Sequence, residues 1–287
     1  MSLLTITAII TQLLRPAAAC CKRQFIDRHN LTGTALPTAW HNLTVNEARR
    51  QHVMTAMGFV PGLLFDDPRA LRLEFGVRNG DMTSYTSATR PASWGRDAVV
   101  AASLPWDGFD SFKGLPKSTL NAAKLGWGAG KYSVKGALPK VPSHVRLHVG
   151  WFNETLPPFL DGLGRGPVAF AHLDADIYTS TISVLDAFAA RCRLRLGTVL
   201  SFDEIFGPKG IENEEFRALN EAAATHGFAW RFITYLNHPK TLFGRAAVQV
   251  TGLGQRCAGV ARAEDGGGGG GGARGGPGRR GKKRGGS

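Results

Sequence analysis

Two hydrophobic periods alternate along this chain. Ala70–Gly76 and His144–Gly150 read as strands, the second with alternation at Val145, Leu147 and Val149. Pro167–Asp174 is apolar nearly throughout and Gly197–Asp203 is similar, as expected of central strands covered on both faces. Between them the spacing turns helical: Thr179–Ala190 carries Ile182, Leu185 and Ala189, with Val184 and Phe188 beside them. Glu212–His226 repeats this through Phe216, Leu219 and Ala223, residues 45–57 form an earlier helix, and Asp81 opens another. Phe228–Tyr235 and Ala246–Val250 give two final strands. Strands alternating with helices predict βαβ units, a parallel or mixed sheet, and a ligand bound beyond the strands' C-terminal ends.

One stretch fits this pattern poorly. A second strand should lead into Trp106–Pro116, but Pro91 ends the helix before it and Pro105 interrupts its approach. A surface insertion or an irregular strand is expected there.

Composition sets the limits of the domain. The chain has 287 residues, 43% hydrophobic and 20% charged, enough to bury a sizeable core and too apolar for wholesale disorder. Its net charge of +13 is unevenly placed: six lysines and arginines lie in residues 266–287 and three in residues 1–26, with no acid in either, which leaves +4 for the body. The basicity therefore belongs to the ends and is weak evidence for a nucleic-acid-binding fold.

Residues 266–287 also hold 13 of the 37 glycines, and such a segment is expected to be a disordered tail, solvated or serving as a loose nucleic-acid contact. Residues 1–26 read either as an organellar transit segment or as an N-terminal helix, leaving residues 27–265 as one domain. No apolar run reaches the ~18 residues a membrane span needs, so an intracellular protein, cytoplasmic or organellar, is expected. Four scattered cysteines, Cys20, Cys21, Cys192 and Cys257, predict reduced thiols rather than a disulfide framework or a zinc site.

The polar residues at the predicted strand ends carry the chemistry. Glu74-Phe-Gly76-Val-Arg-Asn-Gly80 is a glycine turn that lets a ligand approach the backbone, although it lacks the three-glycine dinucleotide spacing and a Walker lysine. Asp110 ends the second strand, where an acid commonly bonds both ribose hydroxyls. His172-Leu-Asp174-Ala-Asp176 ends the fourth and Phe202-Asp203-Glu204 the fifth, which brings four carboxylates into a small space. Such a cluster needs a cation or a shared proton, and helix capping accounts for Asp176 or Glu204 but not for all four.

These segments, with Gly108-Phe-Asp-Ser-Phe-Lys-Gly-Leu-Pro116 and Val149-Gly-Trp-Phe-Asn-Glu-Thr-Leu-Pro157, stand in the order seen in class I methyltransferases of the macrocin O-methyltransferase type, which the chain resembles over roughly Leu71–Val250. The resemblance implies a Rossmann-like α/β fold, a seven-stranded, mostly parallel sheet with helices on both faces, and S-adenosylmethionine as cofactor. It implies that Glu74, Gly76 and Gly80 surround the cofactor's methionine part, that Asp110 holds the ribose, and that Gly150, Trp151 and Phe152 border the adenine. Asp174 is then at the methyl-transfer site and Asp203 is a magnesium ligand; the neighbouring strand ends let Asp174, Asp203 and Glu204 share that ion, which leaves Asp174 or Asp176 to take the proton. The family often has Asp-Asp at the last position, where this chain has Asp203-Glu204.

The activity implied is methyl transfer to a small-molecule hydroxyl by a protein able to form homo-oligomers. The alternative is a catalytically silent binding protein that uses its basic tail. Trp127, Gly130 and Tyr132 read as a loop near the acceptor or as plain surface, and His148 and His172 as structural histidines.

Overall fold

The computed structural model describes residues 21–31, 42–89, 91, 104–117, 120–162 and 166–266. The sequence expectations for residues 1–20, for the insertion at 92–103 and for the tail beyond residue 266 lie outside them.

The sheet is built on two short strands that are buried along their whole length, polar positions included. In β1 (Leu71–Phe75) and β4 (Val168–Leu173) every residue is buried. They pair in parallel, and β2 (Trp106–Asp110), β3 (Val145–Val149) and β5 (Val199–Phe206) add further parallel neighbours. The last pair, β6 (Ala229–Leu236) and β7 (Gly244–Gly252), is a hairpin, and β7 inserts antiparallel against β5. The order is β3-β2-β1-β4-β5-β7-β6, seven strands with the topological switch between β1 and β4.

Helices cover both faces. In chain order they are a segment at 21–28 (α1), α2 (Val45–Met57), α3 (Gly62–Phe65), α4 (Asp81–Ala88), α5 (Leu120–Lys124), α6 (Phe152–Gly162), α7 (Tyr178–Ala190), α8 (Glu215–His226) and α9 (Gln255–Gly266). One core lies where Leu73, Phe75, Leu173 and Phe202 meet Leu156, Val184, Phe188 and Leu219 of α6, α7 and α8. The other lies where Phe170, Val199 and Ala247 meet Val53, Ala56 and Met57 of α2. Side-chain alternation along β1 divides the layers: Leu71, Leu73 and Phe75 enter the first core, which sends Arg72 and Glu74 toward the opposite face.

Helix α2 starts sharply. Thr44 Oγ1 accepts the Glu47 N–H at 3.2 Å and Glu47 Oε2 accepts the Thr44 N–H at 2.8 Å, a reciprocal capping box that satisfies two donors at the helix start.

Three expectations are corrected. Pro105 does not disrupt the second strand: it precedes Trp106, and β2 runs in register from Trp106↔Val145 to Asp110↔Val149. The boundary placed at residue 26 falls inside α1, where Phe25 stacks on Phe206 at 5.1 Å and meets Phe216 edge-on, so this helix belongs to the main core. The cysteines are not all reduced thiols. Cys192, just beyond α7, is disulfide-bonded to Cys257 of α9, with a Cα–Cα distance of 5.0 Å. No helix among the described residues is long and apolar enough to cross a membrane.

Candidate functional site

A cavity of about 560 Å³ opens at the C-terminal ends of β1, β2, β4 and β5. Eight of the residues singled out in the sequence line it: Gly76, Asp110, Trp151, Phe152, Asp174, Asp176, Asp203 and Glu204. Its volume is within the roughly 300–1,000 Å³ of sites that enclose small ligands.

The glycine turn after β1 forms part of the floor. Gly76 has φ +94°, and a Cβ there would collide with the backbone carbonyl of Asp174, so the β1 and β4 ends approach as closely as they do only because the residue is glycine. Gly80 plays a different part. It precedes α4 at φ +78° and packs against Pro139 and Val141, outside the cavity lining. Gly150 does not line the cavity either. Glu74, expected around the cofactor, is fully buried on the α2 side of β1, with its Oε1 3.7 Å from Nδ1 of His172. That distance suits an ion pair and is too long for a hydrogen bond.

Asp110 is held by the backbone that follows each of two strands. Its Oδ2 accepts the Arg78 N–H at 2.7 Å and its Oδ1 the Phe112 N–H at 2.6 Å. Burial pushes its carboxyl up, against the pull of these two donors. Asp110 lines the cavity, and a carboxylate has about four acceptor sites, so these backbone donors leave it capacity to bond a hydroxyl pair.

The four acids at the β4 and β5 ends do converge. Oxygens of Asp174, Asp203 and Glu204 all lie within 4.8 Å of one another. Arg49 of α2, which the sequence reading did not single out, reaches into the group. Its Nη2 donates to Oδ2 of Asp174, and its Nε is 2.8 Å from Oδ1 of Asp203. Arg245 of β7 takes both oxygens of Asp203, with Nε donating at 2.7 Å and Nη2 at 3.1 Å. His172 Nε2 stands 3.8 Å from the same carboxylate.

These partners divide the acids into two kinds. Burial alone would raise Asp203, yet Arg245 and Arg49 outweigh it and hold the carboxyl well below the usual range. For Asp176 the pull of Arg49 is outweighed, and Glu204 rises with it. Burial and the nearby carboxylates, Asp174 for Asp176 and Asp203 for Glu204, push both well above the usual range. Glu215 of α8, behind them, is raised to about 8 by burial, although it accepts the Glu204 N–H at 3.1 Å. His172 is desolvated, but Asp203 and Glu74 lift it to about 9.

Asp176 also sits in the left-handed region at φ +59°, an uncommon place for a non-glycine residue, just before α7. The backbone thus turns the side chain into the cavity, where Asp176 is only 6% exposed.

The cavity lining also includes basic and aromatic residues, Arg78, Lys117, Lys131 and Tyr132. Burial and Asp176 push the Tyr132 hydroxyl up to about 12. Tyr132 therefore joins the site, whereas Trp127 is core, stacked on Phe243 at 5.0 Å. His148 stacks on Phe109 and bonds Asp107 at 2.8 Å, a structural role.

A signal for Arg49 was present in the sequence. It is three and four residues before His52 and Val53 and seven before Ala56, all buried, so it lies on the core-facing stripe of α2, where a cation requires a buried anion.

The magnesium ion implied by the resemblance fits these donors poorly. Both Asp203 oxygens are engaged by Arg245, and the guanidinium of Arg49 stands between Asp203 and Asp174.

No family model matches the chain, and no curated protein matches it. Solved structures do. The calicheamicin methyltransferase CalS11 is 22% identical, with a TM-score of 0.51 over 79% of this chain and 90% of its own. An apo structure of CalS11, a TDP-rhamnose 3′-O-methyltransferase, is 23% identical with a TM-score of 0.43, covering 79% of this chain and 93% of its own. Human N-acetylserotonin methyltransferase in complex with SAM is 12% identical with a TM-score of 0.37, covering 71% and 52%. With this sheet order and the antiparallel seventh strand, the likeness to the first of these establishes one thing: the chain has the Rossmann-like α/β fold of class I methyltransferases.

Proposed function

We propose that the protein is an S-adenosylmethionine-dependent O-methyltransferase acting on the hydroxyl of a small molecule. The observation that carries this reading is the cavity itself, which joins a close-approach glycine, a ribose-type acid and a carboxylate cluster along one sheet edge. Gly76 presents bare backbone to the cavity, where a cofactor's methionine part would lie. Asp110 would accept the ribose hydroxyls, and Trp151 and Phe152 would border the adenine. When bound, the sulfonium supplies an electrophilic methyl group.

The chain's own residues then have to hold the acceptor in line and receive one proton. Asp174 and Asp176 are the carboxylates facing that position. Asp176, raised by burial and by Asp174, takes the proton only where it is itself ionised, so the rate should climb with pH rather than fall. Arg78, Lys117 and Lys131 in the cavity lining favour an acceptor that carries negative charge.

Calorimetric titration of S-adenosylmethionine tests this reading. The wild-type protein should bind, and Asp110→Ala should weaken binding at least about tenfold, since a charged acceptor of two hydrogen bonds is lost. Gly76→Val should also weaken binding, because its side chain meets the Asp174 carbonyl and forces the β1 and β4 ends apart. Unchanged affinity in both folded variants would place the cofactor elsewhere. Transfer of a labelled methyl group onto pools of hydroxyl metabolites then identifies the acceptor.

A further inference from the structure

We infer that Arg49 is the resident cation of the carboxylate cluster, standing where a divalent metal would otherwise bridge Asp174 and Asp203, so that the site works without one. The geometry carries this in three steps. The first is occupancy. A metal bridging these strands would need one oxygen from Asp174 and one from Asp203, and the guanidinium already contacts Oδ2 of the first and Oδ1 of the second.

The second step is charge. Asp203 faces two guanidinium groups, Arg49 and Arg245, and Asp174 faces one of them. Two carboxylates are matched by two cations. A divalent ion entering between them would meet two fixed positive charges a few ångströms away in a largely desolvated place, where repulsion is screened weakly. Glu204 alone does not restore a binding site, because the two carboxylates it would share an ion with are already bridged by the Arg49 guanidinium.

The third step is rigidity. Arg49 is not a loose surface side chain that a metal could push aside. It is only 20% exposed, and its helix is fixed at one end by the Thr44–Glu47 capping box. Along its length that helix buries Ala48, His52, Val53 and Ala56 against the sheet. Within the proposed methyl-transfer site the guanidinium faces the same cavity as Asp174. It would thus supply what a metal otherwise would, a positive charge beside the acceptor oxygen as its proton leaves, together with orientation of Asp174. In that role Arg49 touches the substrate and is a catalytic residue.

The catalytic consequence rests on the methyltransferase reading, but the cation exchange does not, and the test separates them. Manganese binding is followed by electron paramagnetic resonance on wild type, Arg49→Ala and Arg49→Lys, with folding checked by circular dichroism. Wild type should leave manganese free up to about millimolar metal, and Arg49→Ala should bind it at least about tenfold more tightly, because two facing carboxylates lose their cation. Arg49→Lys, which keeps the charge, should resemble wild type. Methyl transfer by wild type should be unchanged in excess chelator.

Manganese binding by wild type below millimolar metal, displaced by magnesium, would overturn the inference. So would an Arg49→Ala variant that gains no affinity, or turnover that chelation abolishes and magnesium restores. If Arg49→Ala does not fold, the wild-type measurement alone still decides. Failure to bind S-adenosylmethionine would remove the proposed function while leaving the manganese result to be read on its own.

Discussion

Replacing Arg245 with methionine removes the fork that grips Asp203 while keeping a side chain of similar reach. Asp203 is 3% exposed and Arg245 6%, so both charges are buried. Breaking a buried pair by removing one partner costs roughly 3–5 kcal/mol, most of it the penalty for the charge left behind. Here Arg49 remains 2.8 Å from Asp203 Oδ1, so the loss should fall at the lower end, about 3 kcal/mol. At roughly 2–4 °C per kcal/mol for a domain of this size, the melting temperature should drop by about 6–12 °C.

Asp203→Asn should cost at least as much, since it strands Arg245 and takes one of the two carboxylates that face Arg49. The double variant should be more stable than the sum of the single losses predicts, with a coupling of about 1–3 kcal/mol by urea unfolding. Acid provides a second reading of the same pair. Asp203 titrates below its unfolded range, so its contribution is complete above the ordinary carboxylate pKa and is lost as pH falls toward the folded value. The stability gap between wild type and Arg245→Met should therefore begin to narrow below about pH 4 and close only as pH reaches the folded value. A melting temperature within about 1 °C of wild type at neutral pH, or a coupling under about 0.5 kcal/mol, would refute the argument that this pair is mutually compensating.

Further outcomes follow from groups near the site. Glu215 is raised to about 8, so the folded state holds its proton longer than the unfolded chain does, and stability should decline as pH rises from about 4.5 to about 8. Glu215→Gln should flatten that decline in melting scans across the range, and an unchanged slope would count against a protonated Glu215. Cys257→Ser opens a loop of 65 residues between α7 and α9 and should cost about 2–4 kcal/mol, with wild type in reductant matching the variant. Equal melting temperatures for wild type with and without reductant would mean that the bridge contributes nothing.

Much of this fold is legible because its strands are short, apolar and ordered. Residues 45–57 are helical as the spacing predicts, and the ends of β2, β4 and β5 deliver Asp110, Asp174 and Asp203 to one edge. The sequence pattern is weaker where a residue's meaning depends on what packs against it. Glu74 was read with its neighbour Gly76, but alternation sends it into the layer beneath α2, and only the packing of that helix shows that its neighbour is His172. Pro105 looked disruptive because a strand start cannot be told from a strand middle without the paired register. The Cys192–Cys257 bridge depends on α9 folding back beside the end of α7, a long-range event that cysteine spacing does not encode. For the same reason Arg49 was not singled out, since its anions are 125 and 154 positions away in the chain.

The reversed seventh strand has an effect on reach. Parallel strands present their last residues to the ligand edge, but a strand running the other way presents its first. Gly244 pairs with Phe206 at the far end of β5, so Arg245 arrives at the carboxylates as the chain enters β7, and the 237–243 turn of the hairpin lies at the same rim as the cavity. Two pieces of the N-terminal chain anchor this turn: Lys22 Nζ donates to the Thr241 carbonyl at 2.7 Å, and the His238 ring is 3.2 Å from the Leu43 carbonyl. The rim is thus tied together from both ends of the chain. A length change in that turn, remote in sequence from every acid in the cluster, would shift a guanidinium at its centre.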